Sequence, residues 1–378
     1  MKIAFINNQP AATGVGRYAS TLYRMVSDYT DADHYFIDRD NWTLHKTTSR
    51  GSELIYRAKK NPLFNDPLFV KHKLILNLLL DYKLGFIIPD SYDLYHITNQ
   101  NLSMLSYYPK IKTKVLTVHD ILYLSDPVNY FQKIIGNLVY KGIKSNSFII
   151  SISHSTKYDL IKYYKIPEER IKVIHHGVDR FLFRPIDIKK TDDIYDKYDL
   201  DKNSKYILHI GRDEPRKNLS LLIRAMYLLV NIYKMKNIML LKINSMDKKT
   251  VNNFNMQNYV KIIDCVKEEE LPKFYNLAAL LLLPSYYEGF GFPALEAMAC
   301  GTPVVASNTS SLPEVVGDAG ILLGPDDAEG FADAIYKVLT DESLGIELAK
   351  KGIERVKEFS WEEAAKKTVE VYRQVAGE

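Results

Sequence analysis

The chain has 378 residues, 46% of them hydrophobic and 25% charged, which suits two domains with a sizeable core each and excludes a disordered or low-complexity protein. Its two cysteines, Cys265 and Cys300, build no disulfide framework and no Cys/His zinc cluster, and they fit a reducing compartment. The net charge of +4 hides an asymmetry, since residues 1–190 carry 27 Lys and Arg against 17 Asp and Glu while the remainder carries 23 against 29; the basic half is a surface for anionic lipid, nucleic acid or a phosphorylated substrate, or simply a solvated lysine face.

The opening MKIAFI reads as a strand, and its apolar run ends at Asn7, too short for a signal peptide. TGVGRYASTLYRMVSD follows as a turn entering an amphipathic helix, with Tyr18, Leu22, Met25 and Val26 on one face. The stretch 74–88 is apolar but interrupted by Asn77, Asp81 and Lys83, so it predicts no membrane span, and the expected location is cytoplasmic. The short apolar runs DLYHI (93–97), KVLTVHD (114–120) and SFIISIS (147–153) alternate with helical stretches, the pattern of a parallel sheet wrapped by helices. A polar stretch over 184–204 predicts a joint. From 205 the alternation restarts with YILHIGR, LSLLIRAMYLLVNIY, NIMLLKI, VKIID, ELPKFYNLA, ALLLLPS, TPVVAS and AGILLG. Two separately wound Rossmann-like α/β domains are expected, over 1–184 and 185–358, with a C-terminal helix over 359–378. In such sheets ligands sit beyond the carboxyl ends of the strands.

Those strand ends carry the candidate residues. Gly14 and Gly16 follow the first strand and suit backbone approaching a phosphate or sugar, with a plain tight turn as the alternative; Ala19 fills the place of a third dinucleotide-binding glycine. His119 and Asp120 end the strand KVLTV, where the imidazole can present a ring nitrogen to a ligand or be satisfied by its own loop. His154, His175, His176 and His209 read as structural. Arg212 and Lys217 in GRDEPRKN lie after a strand and before a helix, where two cations make an anion site. In PSYYEGFGFPALEAMAC, Pro293 is expected at the first helical position. The N–H groups of Gly291 and Phe292 then face a negative group, and Glu288 and Glu296 are placed to accept from sugar or ribose hydroxyls. The D-x-D of Asp38, Arg39 and Asp40 reads as surface.

In combination, EGFGFPALEAMACGTPVVAS with its E-x7-E spacing, the Arg212 to Lys217 segment, the TGVGRY loop and the His119-Asp120 pair resemble the retaining GT-B glycosyltransferases of the GT4-like group, which includes bacterial mannosyltransferases using GDP-mannose. IHHGVDRFLFRP (174–185), SLPEVVGDAGILL (311–323) and FSWEEAAKKTVEVY (359–372) extend the likeness over essentially the whole chain. The resemblance implies a GT-B fold of two Rossmann-like domains around a cleft and retention of anomeric configuration. It implies that Arg212 and Lys217 bind the donor diphosphate, that Glu296 holds the ribose, that Glu288 and His119 contact the transferred sugar, and that Gly16 approaches the phosphates. It implies no metal and no cofactor, a nucleotide-sugar donor (GDP-mannose favoured over UDP-glucose), a glycan or lipid-linked acceptor and no nucleic acid. The mixed basic and apolar segment 56–83 is a candidate for docking on anionic membrane, with an ordinary helix whose lysines face water as the alternative. Two departures stand out: NIMLLKINSMD (237–247) lacks the glycine loop the family has there, and Pro293 removes one N–H donor. A non-catalytic sugar-nucleotide-binding module and an NAD-dependent oxidoreductase are the other readings.

Overall fold

The continuous apolar run Ile3–Ile6 suits a strand buried on both faces, and in the computed structural model all four residues are fully buried in the middle of a sheet. The structure describes residues 1–11, 13–48, 51–57, 80–121, 136, 137, 139 and 141–378. Most of the proposed membrane-docking segment therefore lies outside the described residues. The chain forms two units, one of Met1–His176 with Trp361–Glu378, the other of Gly177–Ser360.

The first unit holds eight strands: β1 (Lys2–Asn7), β2 (Asp31–Asp38), β3 (Thr43–Thr48), β4 (Gly51–Arg57), β5 (Leu94–Ile97), β6 (Lys114–Val118), β7 (Phe148–Ser151) and β8 (Ile171–Val173). Their order is β4-β3-β2-β1-β5-β6-β7-β8. From β2 to β8 all pairings are parallel, and β3 and β4 extend the edge as antiparallel strands, with Phe36 opposite His45 and His34 opposite Thr47. The helix Gly14–Val26 is started by Thr13, whose hydroxyl accepts from the Gly16 N–H, and it buries Tyr18, Leu22 and Val26. The C-terminal helix Trp361–Ala376 belongs to this unit. Its Tyr372 is buried against Phe5, and Tyr372 Oη lies 2.6 Å from His96 Nδ1.

The Asp38-Arg39-Asp40 stretch is not simply surface. Asp38 accepts from the N–H groups of Asp40 and Asn41, closing the turn into β3, while the Arg39 guanidinium pairs with the buried Asp81 carboxylate. A buried carboxylate needs such a partner, which a reading of sequence spacing does not supply.

The second unit holds six parallel strands: β9 (Lys205–Ile210), β10 (Ile238–Ile243), β11 (Val260–Ile263), β12 (Ala278–Leu283), β13 (Val304–Ser307) and β14 (Ile321–Leu323), in the order β11-β10-β9-β12-β13-β14. Its core joins helix Leu219–Asn231, through Leu222 and Met226, to helix Ala328–Thr340, through Phe331 and Ile335. The stretch expected as a joint packs within this unit. Asn276 accepts from the Ile186 N–H at 2.9 Å and donates to the Arg184 carbonyl at 3.0 Å, and Phe183 is buried against Tyr275. Among the described residues no helix is long and apolar enough to cross a membrane.

Candidate functional site

In the second sheet the winding reverses between β9 and β12, so the loops leaving these two strands part and leave room for a ligand. Three hydrogen bonds fix these loops to their surroundings. The Tyr286 N–H donates to the Arg216 carbonyl at 2.8 Å, and Asn218 donates to the carbonyls of Pro284 at 3.1 Å and Pro325 at 2.6 Å. Asn218 holds a left-handed backbone (φ 53) where the turn Pro215–Lys217 meets helix Leu219–Asn231; asparagine tolerates that conformation better than most residues.

This arrangement aims Lys217 at Glu288. Lys217 Nζ lies 2.6 Å from Glu288 Oε1, with both side chains 7% exposed, and Ser285 donates to the same oxygen at 2.7 Å. Arg216 Nη1 approaches Glu288 Oε2 at 3.2 Å, and its Nε pairs with Glu214 at 2.7 Å. Burial would push the Glu288 carboxyl up; the Lys217 and Arg216 charges and the hydrogen bonds outweigh it and hold the group below the ordinary carboxylate range. Sequence reading singled out Arg212, yet Arg212 is exposed and pairs with no described residue. The arginine at the buried carboxylate is Arg216; Arg216 and Lys217 are adjacent, and neighbours in an extended segment would point apart. The tight turn Pro215–Lys217 brings both to one carboxylate.

A further cation lies behind the pair. Lys242, fully buried at the end of β10, donates to the carbonyls of Gly211, Ile243 (2.9 Å) and Asn244 (3.3 Å). Burial lowers its ammonium to about 8. The loop that follows lacks glycine, and Asn244 takes the left-handed conformation (φ 72) there. His209 of β9, read as structural, is fully buried, donates from Nδ1 to the Leu282 carbonyl at 2.8 Å, and has no partner at Nε2 among the described residues. Burial, followed by the Lys242 charge, lowers it to about 3, so it is neutral.

Gly291 has φ 107, and a side chain there would meet Leu312 at 3.0 Å, so glycine is required. The helix it opens runs Phe292–Ala299, with Pro293 at its second position rather than its first as expected; the tertiary amide is tolerated at either place because neither N–H has an intrahelical acceptor. Glu296, 3% exposed, accepts from Tyr275 Oη at 2.7 Å. Ser311 ties the loop by donating to the carbonyls of Glu288 and Phe290, both at 2.8 Å.

In the first unit, a Cβ on Gly16 would lie 1.9 Å from the Pro10 carbonyl oxygen, and the Gly16 N–H donates to Thr13 Oγ1 at 3.0 Å. The glycine is thus required by its own loop, whose helix begins at Gly14. His119 ends β6 in a buried aromatic group with Tyr18 and His176, at ring separations of 4.9 and 5.4 Å. Its Nε2 donates to the Thr98 carbonyl at 2.9 Å, which leaves Nδ1 as an acceptor. Burial lowers the ring to about 4, so it is uncharged at neutral pH. Asp120 accepts from the Gln100 amide at 3.2 Å.

Two family profiles match the chain. Residues 14–180 match Glycosyltransferase Family 4 and residues 190–359 match Glycosyl transferases group 1. Among curated proteins, the O-antigen chain mannosyltransferase B of Escherichia coli is 29% identical, over 99% of this chain and all of the relative. Among solved structures, the sucrose-phosphate synthase of Thermosynechococcus elongatus superposes with a TM-score of 0.79 at 23% identity, covering 99% of each chain. Anabaena Alr3699/HepE, solved in complex with UDP and glucose, does so with a TM-score of 0.74 at 18% identity over 99% of this chain and all of that one. These likenesses establish the GT-B fold for the two sheets.

Proposed function

We infer, for a chain that belongs to the group 1 glycosyltransferases of family 4 and is therefore a retaining hexosyltransferase, that the donor is GDP-mannose and the acceptor a glycan or glycolipid. The observation that carries the reading is the buried Lys217–Glu288–Arg216 cluster at the reversal point of the second sheet. Lys217, Arg216 and the exposed Arg212 supply positive charge for the donor diphosphate, with Lys242 as a buried cation behind them. As the sugar–phosphate bond breaks, negative charge grows on the leaving diphosphate, and fixed cations stabilise it in the transition state more than in the ground state. On this reading they do the work that a divalent ion does elsewhere.

Glu288 acts twice. It is the counter-charge that holds Lys217 and Arg216 in place before the donor arrives, and its Oε2, approached only at 3.2 Å by Arg216, accepts from a hydroxyl of the transferred sugar. Glu296, anchored by Tyr275, accepts from the ribose. The N–H groups of Gly291 and Phe292 face the phosphates. His119 offers a neutral nitrogen to a sugar hydroxyl, and the Gly14 to Gly16 turn contributes a close backbone surface. The departing diphosphate takes the acceptor's proton on the face it leaves, which keeps the anomeric configuration. Mannose is favoured by the full-length likeness to a protein described as a mannosyltransferase.

The test is donor hydrolysis and transfer across a panel of nucleotide sugars, with and without EDTA. GDP-mannose turns over fastest, and EDTA leaves the rate nearly intact. Preference for UDP-glucose refutes the donor assignment, and loss of turnover in EDTA with recovery on adding Mn²⁺ refutes the role of the cations. Binding of nucleotide sugars without any turnover favours a non-catalytic module.

A further inference from the structure

The strand β10 carries a lysine in an otherwise apolar run. Lys242 stands in register opposite His209 of β9, on the face where the pair two residues earlier, Leu240 and Ile207, is apolar, and its side chain is fully buried. A lysine is almost never buried so completely unless its charge is compensated. Every hydrogen bond this ammonium makes among the described residues goes to a carbonyl, those of Gly211, Ile243 (2.9 Å) and Asn244 (3.3 Å). An ammonium has three N–H donors and no acceptor, so three convergent carbonyls use all of them.

These carbonyls belong to two loops. Gly211 opens the loop after β9 and Asn244 the loop after β10, while Ile243 ends β10 and also accepts from the Gly211 N–H at 3.3 Å. Further out, the Asp213 carboxylate accepts from the Asp247 N–H at 2.6 Å. The ammonium thus closes the inner end of a staple across the two loops, where the second loop has no glycine of its own. The peptide it fastens lies against the side chain that bonds Glu288: a Cβ on Gly211 would stand 3.4 Å from Lys217 Cε and 3.6 Å from its Nζ. A methionine at 242 would fill the same space and leave the three carbonyl dipoles facing one another with no cation between them.

We propose that Lys242 is a positioning residue: its ammonium ties the loops leaving β9 and β10 together at Gly211, and so fixes the Lys217 side chain where it meets the donor diphosphate. Lys242 acts through Gly211 and Lys217 and touches no part of the donor. The inference rests on the reading of Lys217 as a diphosphate ligand, whereas the tie between Lys242 and Lys217 exists without any donor. A buried lysine that only filled its own space could give way to methionine with no effect on Lys217.

The experiment uses the full chain and two variants. K242M keeps the length of the side chain without its charge, and K242A leaves a cavity bordered by the three carbonyls. Calorimetry measures affinity for GDP and UDP, and hydrolysis of the matching sugar donor gives kcat and KM. K242M binds the preferred nucleotide about tenfold more weakly and loses about 100-fold in kcat/KM, the effect of a displaced group near the reacting bond. K242A is impaired likewise. Ammonium chloride restores it about tenfold, since the free ion supplies the missing donors, whereas tetramethylammonium chloride at equal ionic strength does not. K242M, its cavity filled, recovers in neither salt. Melting of K242M, K217M and the double variant, measured without nucleotide, shows coupling, the double losing less than the sum of the singles. A folded K242M within about twofold of the parent in nucleotide affinity and kcat/KM, no recovery of K242A in ammonium, or additive melting overturns the proposal. If K242M fails to fold, K242A in ammonium chloride carries the test. A parent chain that binds neither GDP nor UDP refutes the donor reading instead, and the melting cycle still decides whether Lys242 positions Lys217.

Discussion

Replacing Lys217 with Met removes the charge nearest to Glu288 while keeping most of the side-chain volume. Glu288 then keeps Ser285 at 2.7 Å and Arg216 at 3.2 Å but loses its 2.6 Å ammonium. Breaking a buried ion pair by removing one partner costs about 3 to 5 kcal/mol. Because Arg216 remains, the low end, about 3 kcal/mol, is expected. For a unit of this size each kcal/mol moves Tm by roughly 2 to 4 °C, so the deficit is roughly 6 to 12 °C. Its pH dependence identifies the cause. In the parent chain the folded Glu288 carboxyl lies below its unfolded value; its stabilisation is present above the unfolded value of about 4.3 and is lost as pH falls through the folded one. In K217M burial outweighs what remains and lifts the carboxyl. Its contribution then holds at low pH and is lost as pH rises through the new folded value. The Tm deficit of K217M therefore shrinks as pH falls through the folded value of the parent chain, below the ordinary carboxylate range, and grows as pH rises from there toward neutrality. Calorimetric or fluorescence-detected melting across that range is the assay, with K217M/E288Q completing the cycle. The double variant loses about 1 to 3 kcal/mol less than the sum of the singles, the usual coupling of contacting groups. A deficit independent of pH, or simple additivity, refutes the argument that Lys217 and Glu288 stabilise one another.

Three further outcomes are expected. E296Q weakens nucleotide diphosphate and donor alike, a uniform effect on binding, whereas E288Q lowers kcat by about 2 to 4 kcal/mol of transition-state stabilisation and spares nucleotide diphosphate affinity; calorimetry with parallel kinetics separates them, and the reverse pattern means the two roles are exchanged. The first unit holds His34, His96 and His119, lowered by burial to about 4, 3 and 4, and His176, lowered well below its ordinary value, against His209 alone, lowered to about 3, in the second. The unfolded chain binds protons at these rings from about pH 6.5 downward while the folded chain does not, so stability falls as pH drops from there toward 4 and the first unit opens first. Fluorescence of Trp42 and Trp361, both in that unit, reports the loss ahead of far-UV dichroism, and an unchanged signal down to pH 4.5 refutes it. Finally, Phe86, Tyr82 and Tyr107 are exposed, and the Lys110 ammonium lies 4.9 Å over the Phe86 ring. With the basic segment 56–83 they are expected to bind anionic vesicles, each basic group adding about 1 kcal/mol; co-sedimentation that is absent, or the same at low and high salt, refutes docking.

The sequence by itself determined the periodic elements and the residues at their ends. Buried parallel strands such as Ile3–Ile6 and Leu280–Leu283 are continuous apolar runs, and the ends of such runs are where a winding α/β chain can hold a ligand, so His119, Lys217, Glu288 and Glu296 stand out as candidates from position alone. The strand β2 does not stand out, because its alternation is carried by Asp33, Tyr35 and Ile37; Asp33 can be buried because Lys46 on the neighbouring strand pairs with it at 2.8 Å and the Tyr92 hydroxyl donates to it. The tertiary structure alone decided that Arg216 and not Arg212 reaches Glu288, that Lys242 is a buried cation held by three carbonyls, and that Asn244 turns a loop where glycine was expected. It also decided that the Gly16 N–H is already bonded within its own loop. Each of these depends on how a turn directs two neighbouring side chains or on which partner compensates a buried charge. Such facts belong to contacts between residues far apart in the chain, and no local periodicity encodes them.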